Sequence, residues 1–233
     1  MVRRELSLHG VGEDYAMTKK TIAVGGPHVT QCQKPHGFLG RLILRNMNSR
    51  HSSVTDWGLS HIKVAKSDVV LDVGCGGGRT VSKLAAMASE GKVYGIDFSN
   101  ASVAVASKLN RKLIEAGRVE IREGSVSALP FANDFVDMIT AVETHFWWPD
   151  LPTDIREVLR VLKPGGTIIV IAEIYKGAKT MTAQLAEKYL PISGMKMLSE
   201  DEHRALLEQA GCGEVQVFTE PKKGWICAKG TKA

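Results

Sequence analysis

Four of the five residues at positions 74–78 are glycine. They stand between the apolar, β-branched run Val69–Val73 and a segment in which Val81, Leu84, Ala85 and Ala88 recur at helical spacing. Strand, glycine loop and helix together let a ligand lie against bare backbone at a helix N-terminus, because glycine has no Cβ and takes positive φ freely. The dinucleotide fingerprint G-x-G-x-x-G opens here as Gly74-Cys75-Gly76, but its third glycine position holds Arg79. A side chain of that size obstructs the close packing that the third glycine serves, which argues against a nicotinamide dinucleotide. The acidic residue expected about 20 positions on is present as Asp97, at the end of a second strand over residues 92–97. A carboxylate there accepts hydrogen bonds from a ribose diol, so the pattern predicts an adenosine-type ligand that carries a ribose.

The elements that must hold these residues follow in alternation. Ser99 caps a helix expected to run to about Ala116 and stop at Gly117. Residues 119–124 alternate apolar and polar as a third strand, and residues 134–142 form a fourth. Ile155, Val158, Leu159 and Leu162 make the apolar face of a helix that ends at Lys163-Pro164-Gly165-Gly166, ahead of an apolar fifth strand over residues 167–171. Met181, Leu185 and Tyr189 point to a helix inside the long connection 175–198. Ser199 and Glu202 form a capping box for another helix, which closes at Gly211, and two strands follow near residues 215–218 and 225–228. The expected fold class is α/β, a Rossmann-like, doubly wound and mostly parallel seven-stranded sheet with an N-terminal helical addition.

Four motifs in this order resemble the class I S-adenosylmethionine-dependent methyltransferases, and most of all their small-molecule and quinone-methylating branch. They are residues 70–78, residues 95–99 (Gly-Ile-Asp-Phe-Ser), residues 128–131 (Ala-Leu-Pro-Phe) and residues 162–166 (Leu-Lys-Pro-Gly-Gly). The resemblance implies S-adenosylmethionine as cofactor, held by Asp72, Gly74, Cys75, Gly76, Asp97, Phe98, Ser125, Val126 and Glu143. Phe98 takes the place that lies against the adenine ring. Ser125 stands where the family usually has an Asp that accepts from the adenine amino group, and Val126 offers a backbone N–H regardless of its side chain. Glu143 is expected to help hold the methionine end. Cys75 fills a position that requires a small residue and is not proposed as a nucleophile.

Ligands on open α/β sheets lie off the carboxyl ends of the strands, which places residues 143–150 near the transferred methyl group. Phe146 and Trp147 there, with His51 and Trp57 from the N-terminal region, are the candidate substrate neighbours, and they suggest an aromatic or apolar small-molecule acceptor. His145 is the candidate general base, since an unperturbed imidazole titrates near neutrality. No acidic cluster marks a metal site. The Asn/Asp-Pro-Pro-Tyr/Phe motif of exocyclic-amine DNA methylases is missing after the fourth strand.

The chain divides into a tail expected to be mobile (1–36), a helical lid (37–66) and the cofactor domain (67–233), with 175–198 as a substrate-side insertion. The lid includes a stripe of Leu39, Leu42, Ile43 and Met47, and a helix whose start is marked by Ser53 and Asp56, with Val54, Trp57, His61 and Ile62 on its buried face. A chain of 233 residues with 44% hydrophobic and 24% charged side chains is an ordinary globular one. No window approaches a membrane span, and the first residues lack the apolar core of a signal peptide. Cys32, Cys75, Cys212 and Cys227 lie far apart and read as reduced thiols, so the expected compartment is the cytoplasm. The net charge of +5 gathers at the ends: residues 1–50 carry eight Lys/Arg against three Asp/Glu, and residues 221–233 carry four Lys and no acid. Solvated tails account for this. RNA methylation, or cofactor binding without catalysis by a regulatory protein, remain alternatives. Oligomeric state is not legible in the sequence.

Overall fold

A computed structural model describes residues 51–189 and 195–233. The expected tail, and the Leu39–Met47 stripe with it, lie outside the described residues. The elements are α1 (Ser52–Leu59), β1 (Val69–Val73), α2 (Arg79–Met87), β2 (Lys92–Asp97), α3 (Asn100–Leu109), α4 (Arg111–Glu115), β3 (Val119–Glu123), β4 (Val136–Val142), a 3₁₀ turn (His145–Trp147), α5 (Leu151–Val161), β5 (Leu162–Ala172), α6 (Met181–Tyr189), α7 (Glu200–Gln209), β6 (Cys212–Glu220) and β7 (Trp225–Lys232). The seven strands form one sheet in the order β3-β2-β1-β4-β5-β7-β6. The first five strands run parallel, and β7 is antiparallel to both β5 and β6. The chain order reverses at β1, between β2 and β4, and such a switch point opens a crevice at the strands' carboxyl ends.

Alternate residues of the central strands feed two cores, as a parallel sheet covered on both faces requires. Leu71, Val73, Ile96, Ile139 and Val170 pack with α5 and with Leu207 of α7. Val70, Val93, Met138, Ile169 and Ile171 pack with Val54 and Leu59 of α1 and with Val81, Leu84 and Ala85 of α2. Gly58 is what lets α1 lie so low on β5: a Cβ there would stand 2.4 Å from Ile171 Cδ1. A third, smaller core of Phe146, Ala172, Tyr175, Ala178, Ala183, Met195 and Ile226 covers the carboxyl end of β5.

Ser99 caps α3 through Ser102 N–H, and Ser199 and Glu202 make the reciprocal capping box of α7. Other expectations are corrected. α1 begins at Ser52, with His51 as N-cap and no side-chain cap, so Ser53 and Asp56 are not a capping pair. Asp56 instead faces Lys83 of α2, and the buried residues of α1 are Val54, Thr55, Gly58 and Leu59. The helix expected to reach Ala116 breaks at Asn110, whose buried side chain donates to Gly78 O and Ala106 O, both at 2.9 Å. β5 starts at Leu162 rather than at residue 167. Leu162 already pairs with Val136, and a bulge carries the chain through Pro164-Gly165-Gly166 before regular pairing resumes at Thr167. α6 forms where Met181, Leu185 and Tyr189 point to a helix, and it turns Ala183 and Ala186 inward while Met181 and Leu185 are exposed.

Candidate functional site

The glycine loop is fixed at both ends by backbone. Gly74 and Cys75 both donate to Ile96 O, at 2.8 and 2.9 Å, so the loop folds back over β2. Gly74, Gly76 and Gly78 all have positive φ, at 74°, 51° and 78°. They serve different ends. A Cβ on Gly74 would lie 2.1 Å from Thr144 Oγ1, and one on Gly78 would lie 2.8 Å from Ala106 Cα, whereas nothing among the described residues stands within 4 Å of one on Gly76. Gly78 therefore supplies the close helix packing that Arg79 denies to the dinucleotide fingerprint, with α3 as the neighbour. The backbone at Gly76 is open to a ligand.

Asp97, at the end of β2, joins the loop to the next helix. Its Oδ2 accepts from Gly76 N–H and its Oδ1 from Ser99 N–H, both at 2.9 Å. It is 7% exposed, and burial pushes its carboxyl above the usual range against the pull of those two N–H groups. Each carboxylate oxygen can accept a second hydrogen bond; the Ser102 side chain takes one of these places, and the other is left for a ribose hydroxyl. Asp72, on β1, is fully enclosed and accepts from Thr140 Oγ1 at 2.6 Å. Burial lifts it to about 7, and the neighbouring charge of Asp97 adds to the rise. Cys75 is buried against the bare Cα of Gly95, and burial drives its thiol well above its ordinary range, so it offers no thiolate.

A cleft opens at the strands' carboxyl ends. Its lining includes Gly74, Asp97, Phe98, Ser125, Val126, Thr144, Trp147 and Trp148. The expected cofactor residues Gly74, Asp97, Phe98, Ser125 and Val126 are thus brought together, with Phe98 42% exposed in spite of its size. Ser125 Oγ accepts from Ser127 N–H at 3.2 Å and keeps its own proton to donate. Trp147 is there as expected. Three further residues, two of them within the expected 143–150 segment, support the cleft. Thr144 touches the loop glycine, and Trp148 is buried in the wall with its Nε1 3.4 Å from Thr144 Oγ1. Asp154, on α5, accepts from Ser127 Oγ at 2.6 Å and from Asp150 N–H at 2.9 Å, which ties the 125–128 turn to the helix behind it. An acid in the first turn of α5 was the only sequence signal for it.

Other expected residues stand elsewhere. His145 is 1% exposed, and its Nε2 lies 3.1 Å from Nε2 of His203 on α7. Burial lowers both imidazoles, with His145 well below its ordinary value. That position offers a bound acceptor no nitrogen, so the geometry does not carry the base role expected for His145. Phe146 is buried in the third core. Trp57 packs edge-on to His61 and against Trp225, and is not part of the cleft lining.

His51 and Glu143 do come together, with a residue not foreseen, Glu173, which follows β5. One nitrogen or oxygen from each of the three lies within 4.8 Å of the others. His51 Nε2 is 3.6 Å from Glu173 Oε1, and Glu143 Oε1 accepts from Glu173 N–H. Glu143 adopts a left-handed backbone, φ 57°. Burial, and then the Glu173 charge, push its carboxyl up to about 8 against the opposing effect of His51.

Residues 71–170 match the methyltransferase domain family. The chain is 34% identical over 124 residues to a 2-phytyl-1,4-naphtoquinone methyltransferase of Synechococcus elongatus, a match covering 53% of each chain. It is 30% identical over 160 residues to methyltransferase GfsG of Streptomyces halstedii, covering 68% of this chain and 57% of that one. The chain thus spans little more than half the length of these curated relatives. A crystal structure of a SAM-dependent methyltransferase from Aquifex aeolicus superposes with a TM-score of 0.68 at 22% identity, over 83% of this chain and 98% of that one. That likeness shows the fold. Residues 71–170 thus match a methyltransferase domain, and with the glycine loop, the Asp97 carboxylate and the strand order they make the chain similar to the class I S-adenosylmethionine-dependent methyltransferases.

Proposed function

We propose that the protein transfers a methyl group from S-adenosylmethionine to a small acceptor with an aromatic or apolar body. The observation that carries this reading is that one cleft holds both the nucleoside-binding set, Asp97 and Phe98, and an indole wall, Trp147 and Trp148. The site fits the cofactor. Gly76 leaves its backbone open toward the described residues, and Asp97 has acceptor capacity for a ribose hydroxyl. Phe98 presents an exposed ring to the adenine face, with Ser125 and the Val126 backbone for its polar edge.

The bound cofactor supplies a methyl group on a positively charged sulfur, and the departing thioether is neutral. The protein's main task is therefore alignment of the acceptor behind the methyl group and exclusion of water. Thr144 abuts Gly74 and accepts from Trp148, so the loop and the indole wall are fixed relative to one another. The relatives named as 2-phytyl-1,4-naphtoquinone and demethylmenaquinone methyltransferases support the same acceptor class for this chain.

The test uses cofactor labelled on its methyl group, incubated with the protein and a cell extract. Label in an organic-soluble small molecule is the expected result. Label in RNA would overturn the acceptor class and make the basic chain ends a binding surface. Cofactor binding with no transfer into any fraction would favour a regulatory protein.

A further inference from the structure

We propose that His51, Glu143 and Glu173 form a binding site for one divalent transition-metal ion beside the cofactor cleft. The three come from separate segments: the residue before α1, the residue after β4 and the residue after β5. All three are half-buried, and their donor atoms already lie within 4.8 Å of one another. Ligands on an ion with bonds of 2.0–2.2 Å stand at most about 4.4 Å apart, so side-chain rotations suffice to close the set. The donors are one imidazole nitrogen and two carboxylates. That mixture suits manganese or zinc better than the all-oxygen cages of calcium and magnesium. Three protein ligands are also the number that leaves a metal with open positions for water or a substrate oxygen.

The arrangement is built for a cation in two other respects. Two carboxylates and an imidazole converge here, and a bound cation offsets the repulsion between the carboxylates. Glu143 is also held in place, because Glu173 N–H donates to its Oε1, a backbone bond that orients the carboxylate from the outer shell. The site adjoins the cleft, since Thr144, next in the chain to Glu143, lines it. This reading assigns Glu143 to the ion and not to the cofactor's methionine end. What the ion does there rests on the proposed methyl transfer. It would hold an acceptor hydroxyl or enol oxygen and acidify it, with the proton released to solvent. The oxygen then bonds to the methyl carbon while the carbon–sulfur bond breaks, and its electron pair leaves on the neutral thioether.

The experiment is a titration of the full chain, stripped by chelator, with Mn²⁺ in the absence of cofactor, reading the paramagnetic resonance signal of the free ion. One ion per chain is expected. His51→Ala and Glu173→Gln are each expected to weaken it at least tenfold, and Glu143→Gln likewise if circular dichroism shows that it folds. No ion bound at millimolar Mn²⁺ by folded protein would overturn the site, and so would binding of unchanged affinity in His51→Ala and Glu173→Gln. Calorimetry with S-adenosylmethionine on the same samples separates the two readings. Cofactor bound without Mn²⁺ sinks the metal site alone, and Mn²⁺ bound without cofactor sinks the methyltransferase reading alone.

Discussion

His145 and His203 meet nitrogen to nitrogen, Nε2 to Nε2 at 3.1 Å, inside the protein. Their partners fix the protons. His203 Nδ1 is 2.8 Å from Ser199 O, a carbonyl that only accepts, so Nδ1 carries the hydrogen and Nε2 is bare. His145 must then donate from its Nε2, which leaves its Nδ1 bare and without a partner among the described residues. Both rings are neutral in this arrangement, and burial lowers both. An unfolded chain takes up protons on these residues near pH 6.5, and the folded chain does so only at lower pH. The pair's contribution to stability is therefore complete above pH 6.5 and drains away as the pH falls through the folded values. The limiting slope is about 1.4 kcal/mol per pH unit for each imidazole. Asp72, raised to about 7, has the opposite sign: its contribution is lost as pH rises. Urea unfolding of the wild type and of a His145→Leu/His203→Leu variant, at pH values from 7.5 to 5, cancels Asp72 in the difference. Parallel stability curves would show that the pair is not held neutral.

The loop glycines should separate stability from binding. Gly74→Ala brings a methyl group against Thr144 on a left-handed backbone, so it should lower stability by more than the ~1 kcal/mol that positive φ alone costs a side chain. Gly76→Ala meets nothing among the described residues, so its loss of stability should stay near that figure while cofactor affinity drops. Thermal unfolding and calorimetry on both variants check this. Equal effects on stability would remove the contact with Thr144 from the account.

Asp97→Asn is the informative change at the ribose end. Alanine would strip partners from the N–H groups of Gly76 and Ser99, whereas asparagine keeps one acceptor oxygen. We expect cofactor binding to weaken by roughly 1–3 kcal/mol, as for loss of charge-assisted hydrogen bonds. An unchanged dissociation constant by calorimetry would take Asp97 out of the site.

At Gly58, helix propensity and packing oppose one another. Alanine inside a helix is favoured by roughly 0.5–1 kcal/mol over glycine. Here its methyl group would press into Ile171, and overpacking of that kind costs about 1–3 kcal/mol. Gly58→Ala should therefore destabilise the wild type, and it should cost less in an Ile171→Ala background. Additive effects in that double-mutant cycle would show that the two positions do not meet.

What could be read in the sequence was local. The Ser99 cap, the Ser199–Glu202 box and the strand, glycine and acid spacing that leads to Asp97 each lie within one short stretch, and each stands where it was expected. What escaped depends on partners distant in the chain. Asn110 looks like any helix residue until Gly78 O is brought to it. His145 looked like a base at a strand end, and only the packing of α7 shows it facing His203. Glu173 gave no signal, because its relation to His51 and Glu143 exists only once β4 and β5 lie side by side. The helix α6 was legible from Met181, Leu185 and Tyr189, but not which residues it packs inward, because the close approach there uses the small ones, Ala183 and Ala186.

β7 lies between β5 and β6 although it follows both in the chain. Until β7 is in place, β6 has no strand to join, and the edge of β5 over residues 167–172 is unpaired. That edge belongs to a strand whose Ile168, Ile169, Val170 and Ile171 are all buried in the finished protein. An apolar, open strand edge is a template for pairing with other chains. A chain shortened after Glu220 would thus be sticky, and loss of Trp225–Lys232 should lower the amount of protein recovered in soluble form.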